Sequence, residues 1–132
     1  MQYSCYPGTE TEMPATYEID KERRLVTTRL WGSVSEKEIY EHNEKLRTDP
    51  AFDPSYRQCA DMSALTEVTV STDMIRDTAN DQFFLPGTRR AFIASTDAVF
   101  GMARMYALRA EGLGQTIEVF RELEPAKEWL DR

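Results

Sequence analysis

Apolar and polar positions along the chain change period several times, and each change marks an element. Val26 and Leu30 alternate with Thr27 and Arg29, and Ile117 and Val119 alternate with Thr116 and Glu118. That two-residue period belongs to strands with one buried face. Tyr17 to Asp20 and Leu25 to Trp31 are β-rich runs on either side of the charged turn Lys21 to Arg24, which predicts an antiparallel hairpin. Ser35 followed by Glu38 is a capping box that opens a first helix, and Asp49 and Pro50 stop it. After Pro54, Tyr56 to Asp61 reads as a short strand and Met62 to Val70 as a loop. Ser71 or Thr72 then caps a second helix, with Ile75, Ala79 and Phe83 on its inner face. Pro86 and Gly87 break that helix, Arg90 to Ser95 forms a strand, and Asp97 caps a third helix from Ala98 to about Glu111. Gly112 and Gly114 end it. Ile117 to Phe120 is the last strand, and Pro125 fits the first turn of a closing helix carrying Trp129 and Leu130.

Strands alternating with helices at these lengths imply βαβ crossovers. The expected class is α/β: a five-stranded mixed sheet, its first strand antiparallel and the remainder parallel, with four main helices mostly on one face. The alternation in the second and last strands implies that the other face is left open to solvent or a partner. Residues 1–15, with Pro7, Gly8 and Pro14 and no period, read as a flexible arm. Residues 16–132 read as one domain, in keeping with a chain of 132 residues.

Charge then narrows the partners. A net charge of -7 repels phosphate backbones and anionic headgroups, so neither nucleic acid nor a bilayer surface is expected as a general partner. No apolar run approaches a membrane span and the first residues do not resemble a signal peptide, so a cytoplasmic location is expected. Cys5 and Cys59 lack metal-type spacing and are expected to be free thiols. Glu10, Glu12, Glu18, Asp20, Glu36 and Glu38 crowd the first third of the chain without a metal-loop spacing, and no cofactor motif is present. His42, the one histidine, falls beside the apolar face of the first helix. With Cys59 it has no nucleophile signature around it, so no catalytic pair and no enzymatic role is expected.

The third helix carries more apolar surface than one face needs. Val99, Phe100, Met102, Met105, Tyr106 and Leu108 spread around it, and Gly101 permits close approach. Phe100, Met102, Met105 and Tyr106 are therefore candidates for covering by a second subunit or a small apolar ligand. Asp61 and Ser63, at the carboxyl end of a central strand, lie where open α/β sheets hold ligands.

The order of elements from Thr16 to Arg132, with Asp61-Met62-Ser63-Ala64 and the segment Phe100 to Gly112, resembles the SpoIIAA-like fold. STAS domains (sulfate transporter and anti-sigma-factor antagonist) share that fold. It is related to CRAL-TRIO lipid carriers, and the helix segment is similar to one in uncharacterised bacterial members. The resemblance implies a non-enzymatic regulatory or protein-interaction module, self-associating and docking a protein partner. The CRAL-TRIO likeness implies an alternative, a carrier or sensor of a small apolar or lipid-like ligand. Antagonists of this fold are phosphorylated on a serine in an Asp-Ser-Ser-Gly segment. Here that place reads Thr69-Val70-Ser71-Thr72, without the acidic residue and the glycine, which leaves Ser71 as the phosphorylation candidate.

Overall fold

The structure, a computed structural model, describes residues 14–132. Cys5 and the expected arm as far as residue 13 lie outside the described residues. The elements run β1 (Ala15–Asp20), β2 (Leu25–Ser35), α1 (Glu36–Thr48), β3 (Arg57–Thr69), α2 (Thr72–Asn80), β4 (Arg89–Ile93), α3 (Asp97–Glu111), β5 (Thr116–Phe120) and α4 (Leu123–Asp131). They build a five-stranded sheet in the order β1-β2-β3-β4-β5, with β1 antiparallel to β2 and the other pairings parallel. Ala15, expected in the arm, already belongs to the hairpin and pairs with Leu30.

Local chemistry explains most of the boundaries. The Asp20 carboxylate accepts the Arg23 N–H at 3.1 Å in the hairpin turn, and Arg24 takes a left-handed φ of 55°. Ser35 and Glu38 form the expected capping box. Ser71 caps α2 by accepting the Met74 N–H at 3.1 Å. The cap of α3 is Thr96 rather than Asp97: the Thr96 hydroxyl accepts the Val99 N–H at 3.2 Å, and Asp97 is the first helical residue. As N1 its charge still favours the positive end of the helix, and it pairs with Arg121 at 2.8 Å. Phe83 lies beyond α2, which ends at Asn80, and packs edge-on against Phe52.

The segment Met62 to Val70, expected as a loop, continues β3 as far as Thr69. Its pairing with β2 shifts register twice, between Arg29 and Trp31 and between Gly32 and Ser33, and each shift places an extra residue in β3. The inward positions become Met62, Leu65 and Val68, three apart instead of two. Bulges of this kind erase the period by which a strand is read. Gly32, between the two shifts, has φ 67°, a conformation that favours glycine.

Successive right-handed crossovers between neighbouring parallel strands place α1, α2 and α3 on one face. There Val34, Ala60, Met62, Leu65, Phe92, Val99 and Ala103 form one core cluster, and Val26, Leu46 and Phe84 another. The opposite face is not open at its centre. α4 covers it with Ala126 and Leu130 against Leu25, Cys59, Ala91 and Ile93. β4, buried from Arg90 through Ile93, is the strand whose sequence carries this double cover. Arg57 and Arg89 donate to the Leu130 and Trp129 carbonyls, each at 2.6 Å, so two cations hold the carboxyl end of α4.

Candidate functional site

Side chains on the three-helix face of the sheet do not fill the space beneath α1 and α2. Thr28 and Leu30 from β2, Gln58, Ala60 and Met62 from β3, and Arg90 and Phe92 from β4 form the floor of a cavity of about 140 Å³. Each strand contributes every second residue, as the pleat requires. Ile39 and His42 of α1, Met74, Ile75 and Thr78 of α2, and Met102 and Tyr106 of α3 form its walls and leave it partly open to solvent. α1 and α2 scarcely touch each other. Two polar contacts join them, one at each end: the Glu36 carboxylate accepts the Ser71 N–H at 2.7 Å, and Arg47 pairs with Asp81 at 3.1 Å.

Arg90, only 4% exposed, dominates the polar part of the cavity. Its Nε donates to Gln58 Oε1 at 3.0 Å, and its Nη1 donates to Gln82 Oε1 at 2.6 Å and Gln115 Oε1 at 3.1 Å. Nη2 reaches the Tyr106 hydroxyl at 3.4 Å. The guanidinium lies over the Phe84 ring at 4.3 Å, with Phe92 and Tyr106 farther out at 5.6 and 5.9 Å. Among the described residues no carboxylate pairs with it. A buried charge normally has a counter-ion, because the loss of hydration is large. Here amide oxygens and aromatic faces stand in for one.

Arginine has donors only, so it turns all three glutamine oxygens toward itself. The amide nitrogens then point elsewhere: Gln58 to the Thr28 hydroxyl at 3.2 Å, Gln115 to the Phe84 carbonyl at 3.1 Å, and Gln82 to the Ala79 carbonyl at 2.8 Å and the Tyr106 hydroxyl at 3.0 Å.

His42 is another buried polar residue lining the cavity, 5% exposed, and its Nε2 has no hydrogen-bond partner among the described residues. Burial, with a smaller push from the Lys45 charge, lowers its pKa from the ordinary 6.5 to about 4, so the ring is neutral near pH 7. Tyr17 packs against it edge to face, 5.7 Å between ring centres.

Of the ligand or partner candidates singled out from sequence, the cavity gathers Met102 and Tyr106. Phe100 packs on the same core under Arg121, whose guanidinium stands 4.1 Å from the ring centre, and Met105 points outward, 48% exposed. Asp61 and Ser63 form a turn of their own, the Asp61 carboxylate accepting the Ser63 N–H at 3.0 Å and hydroxyl at 2.6 Å. The extended course of β3 from Ser63 to Thr69 puts Ser71 on the order of 20 Å farther along, at about 3.3 Å per residue. Asp61 and Ser63 therefore do not share a site with Ser71. Cys59 packs against the α4 side, so the sheet stands between it and His42. Burial, and then the Asp61 charge, raise its thiol pKa.

Ser71 itself is exposed, with its N–H on the Glu36 carboxylate and its hydroxyl on the helix end. A phosphate placed there would gain from the positive end of α2 and be opposed by the like charge of that carboxylate. Replacing Ser71 by Ala should cost about 1 kcal/mol of stability in urea unfolding, the usual effect of losing a cap. A cost near zero would show that the cap bond carries no weight.

Arg90, Gln58 and Gln82 were missed in the sequence. The signal was there in one form: Gln58 and Arg90 are register partners, each a polar residue that leads into an apolar pair, Cys59-Ala60 and Ala91-Phe92, in an inner strand. Only the pairing shows that they meet.

The architecture defines the chain as an α/β protein of the SpoIIAA-like fold. A solved structure of an uncharacterized DUF3478-family protein with a SpoIIAA-like fold, from Shewanella loihica PV-4, superposes with a TM-score of 0.59 at 13% identity, covering 93% of this chain and 99% of that one. No family model matches this chain, and no curated protein does.

Proposed function

We propose that this chain is a binding module, a carrier or sensor, that takes a small and mainly apolar ligand into the cavity beneath α1 and α2. The observation that carries the proposal is the cavity itself. A half-open space of about 140 Å³ lined by Leu30, Ile39, Met62, Met74, Phe92 and Met102 is concave and mainly apolar, with a few polar groups converging on it, as small-molecule sites are. Apolar cavities of roughly this volume hold a benzene-sized molecule. Three methionines at the wall suit a ligand of uncertain outline, since thioether side chains adapt their shape.

Ligand-observed NMR with a panel of benzene-sized molecules, neutral and anionic, tests the proposal. Binding is expected in the parent protein and not in Ala103→Leu, which places extra carbon in the space from a buried position on α3. A bound ligand at a hundredfold excess over its Kd should add about 2.7 kcal/mol of stability. If no member of the panel binds, or Ala103→Leu binds as well as the parent, the cavity is not the site.

A second reading, an interaction module that self-associates, has its own support. Met105 is 48% exposed and Leu108 60% on the outer side of α3, with Leu113 50% exposed just beyond its end. Such a row of apolar side chains suits a second copy of the chain. Light scattering should then report a dimer for the parent and a monomer for Met105→Glu. A monomeric parent would remove this reading without touching the cavity.

A further inference from the structure

Resting on the cavity reading above, we infer that the ligand is an organic carboxylate with a benzene-sized apolar body, its anionic group read by Arg90 and Tyr106. The inference comes from counting what the polar groups of the cavity still have to offer. Every glutamine oxygen around Arg90 is already engaged by the guanidinium. The Tyr106 hydroxyl accepts from Gln82 Nε2 at 3.0 Å and from Arg90 Nη2 at 3.4 Å, which uses both its lone pairs and leaves its own hydrogen to donate. Nη2 has a second hydrogen that meets no acceptor among the described residues. The Arg90–Tyr106 end of the cavity is thus short of acceptors and holds spare donors.

Charge points the same way. The guanidinium is 4% exposed and has no carboxylate beside it, while Asp81 at the cavity wall is already paired with Arg47 at 3.1 Å. An incoming carboxylate supplies the missing counter-ion and accepts from both spare donors, an arrangement stronger than a bond between neutral groups. Most of the remaining wall is apolar, so a small inorganic anion would satisfy the donors and leave the greater part of the space empty. A long-chain lipid would exceed a cavity of about 140 Å³. The class between them is a monocarboxylate of the size of benzoate or phenylacetate.

Calorimetric titration of the whole chain with benzoate and phenylacetate, each against its neutral isostere benzamide or phenylacetamide, and with inorganic phosphate, tests the inference. The carboxylates should bind roughly tenfold to a hundredfold more tightly than the amides, the range for a hydrogen bond to a charged group. Tyr106→Phe, which removes the spare hydrogen and keeps the ring, should weaken the carboxylates severalfold and leave the amides nearly unchanged. Arg90→Met should abolish the preference. Should that variant fail to fold, the comparison of ligands on the parent and on Tyr106→Phe still decides the matter. Amides binding as tightly as carboxylates would overturn the carboxylate assignment while sustaining the cavity reading. Phosphate binding as tightly as benzoate would overturn the apolar body. No binding by any of them would overturn both.

Discussion

Taking the protein from pH 7 to pH 4 should cost about 3 kcal/mol of stability through His42 alone, and the loss should vanish in His42→Leu. Burial lowers the folded-state pKa of this ring to about 4, whereas the unfolded chain titrates near 6.5. Between those values the unfolded state binds the proton and the folded state resists it, so stability falls as the pH falls. The contribution is whole above pH 6.5, disappears progressively down to pH 4, and changes no further below that. The size follows from the separation of the two values at about 1.4 kcal/mol each. Asp49 and Asp53 add an acid dependence at lower pH, because hydrogen bonds from Tyr17 and Ser55 hold their carboxyls below the usual range. Urea unfolding of parent and variant across the range separates the two effects, since only the His42 part differs between them. His42→Leu should also stay within roughly 1.5 kcal/mol of the parent at pH 7, as a swap of similar volume at a site where Nε2 has no partner to lose. An equal acid loss in both proteins would mean that His42 is hydrated in the folded state.

Features governed by a few neighbouring residues were legible in the sequence. The Ser35–Glu38 capping box, the Ser71 cap, the charged hairpin turn and the order of elements depend on side chains within four positions of one another, and the structure has all of them. The latter half of β3 was not legible, because two register shifts against β2 erase its alternation and leave its buried residues three apart. The α4 cover of the opposite face was also missed. β2 and β5, from which an open face was read, alternate in apolar character, while the double burial falls on β4. Tyr106 and Met102 were singled out on α3 for excess apolar area, and they do line the cavity. The polar side of the site was hidden for a different reason. Gln58, Gln82, Arg90 and Gln115 come from four separate segments, and nothing in the spacing of glutamines along a chain reports that their oxygens converge on one guanidinium.

Phe84 is where the core and the Arg90 site depend on the same side chain, so its removal should have the largest single effect on stability. It is 3% exposed and packs against Phe52 and Phe83 with ring centres 5.2 and 5.1 Å away, in the cluster that includes Val26 and Leu46. Its outer face carries the Arg90 guanidinium at 4.3 Å, and its carbonyl accepts from Gln115, one of the amides that hold that guanidinium. Phe84→Ala should cost about 4 kcal/mol, from lost burial together with the cavity left behind. That is a large fraction of the roughly 5–15 kcal/mol available to a domain. Phe84→Leu separates the two roles, because it keeps most of the apolar volume and removes the aromatic face. It should cost about 2 kcal/mol, combining a modest repacking cost with a lost cation–π contact of about 0.5–2 kcal/mol. Urea unfolding of the two variants gives both figures. If Phe84→Leu is as stable as the parent, the ring contributes volume only, and Arg90 is held by its three glutamines without help from the aromatic face. If Phe84→Ala loses less than about 1 kcal/mol, the aromatic cluster beside the cavity is not a packed core.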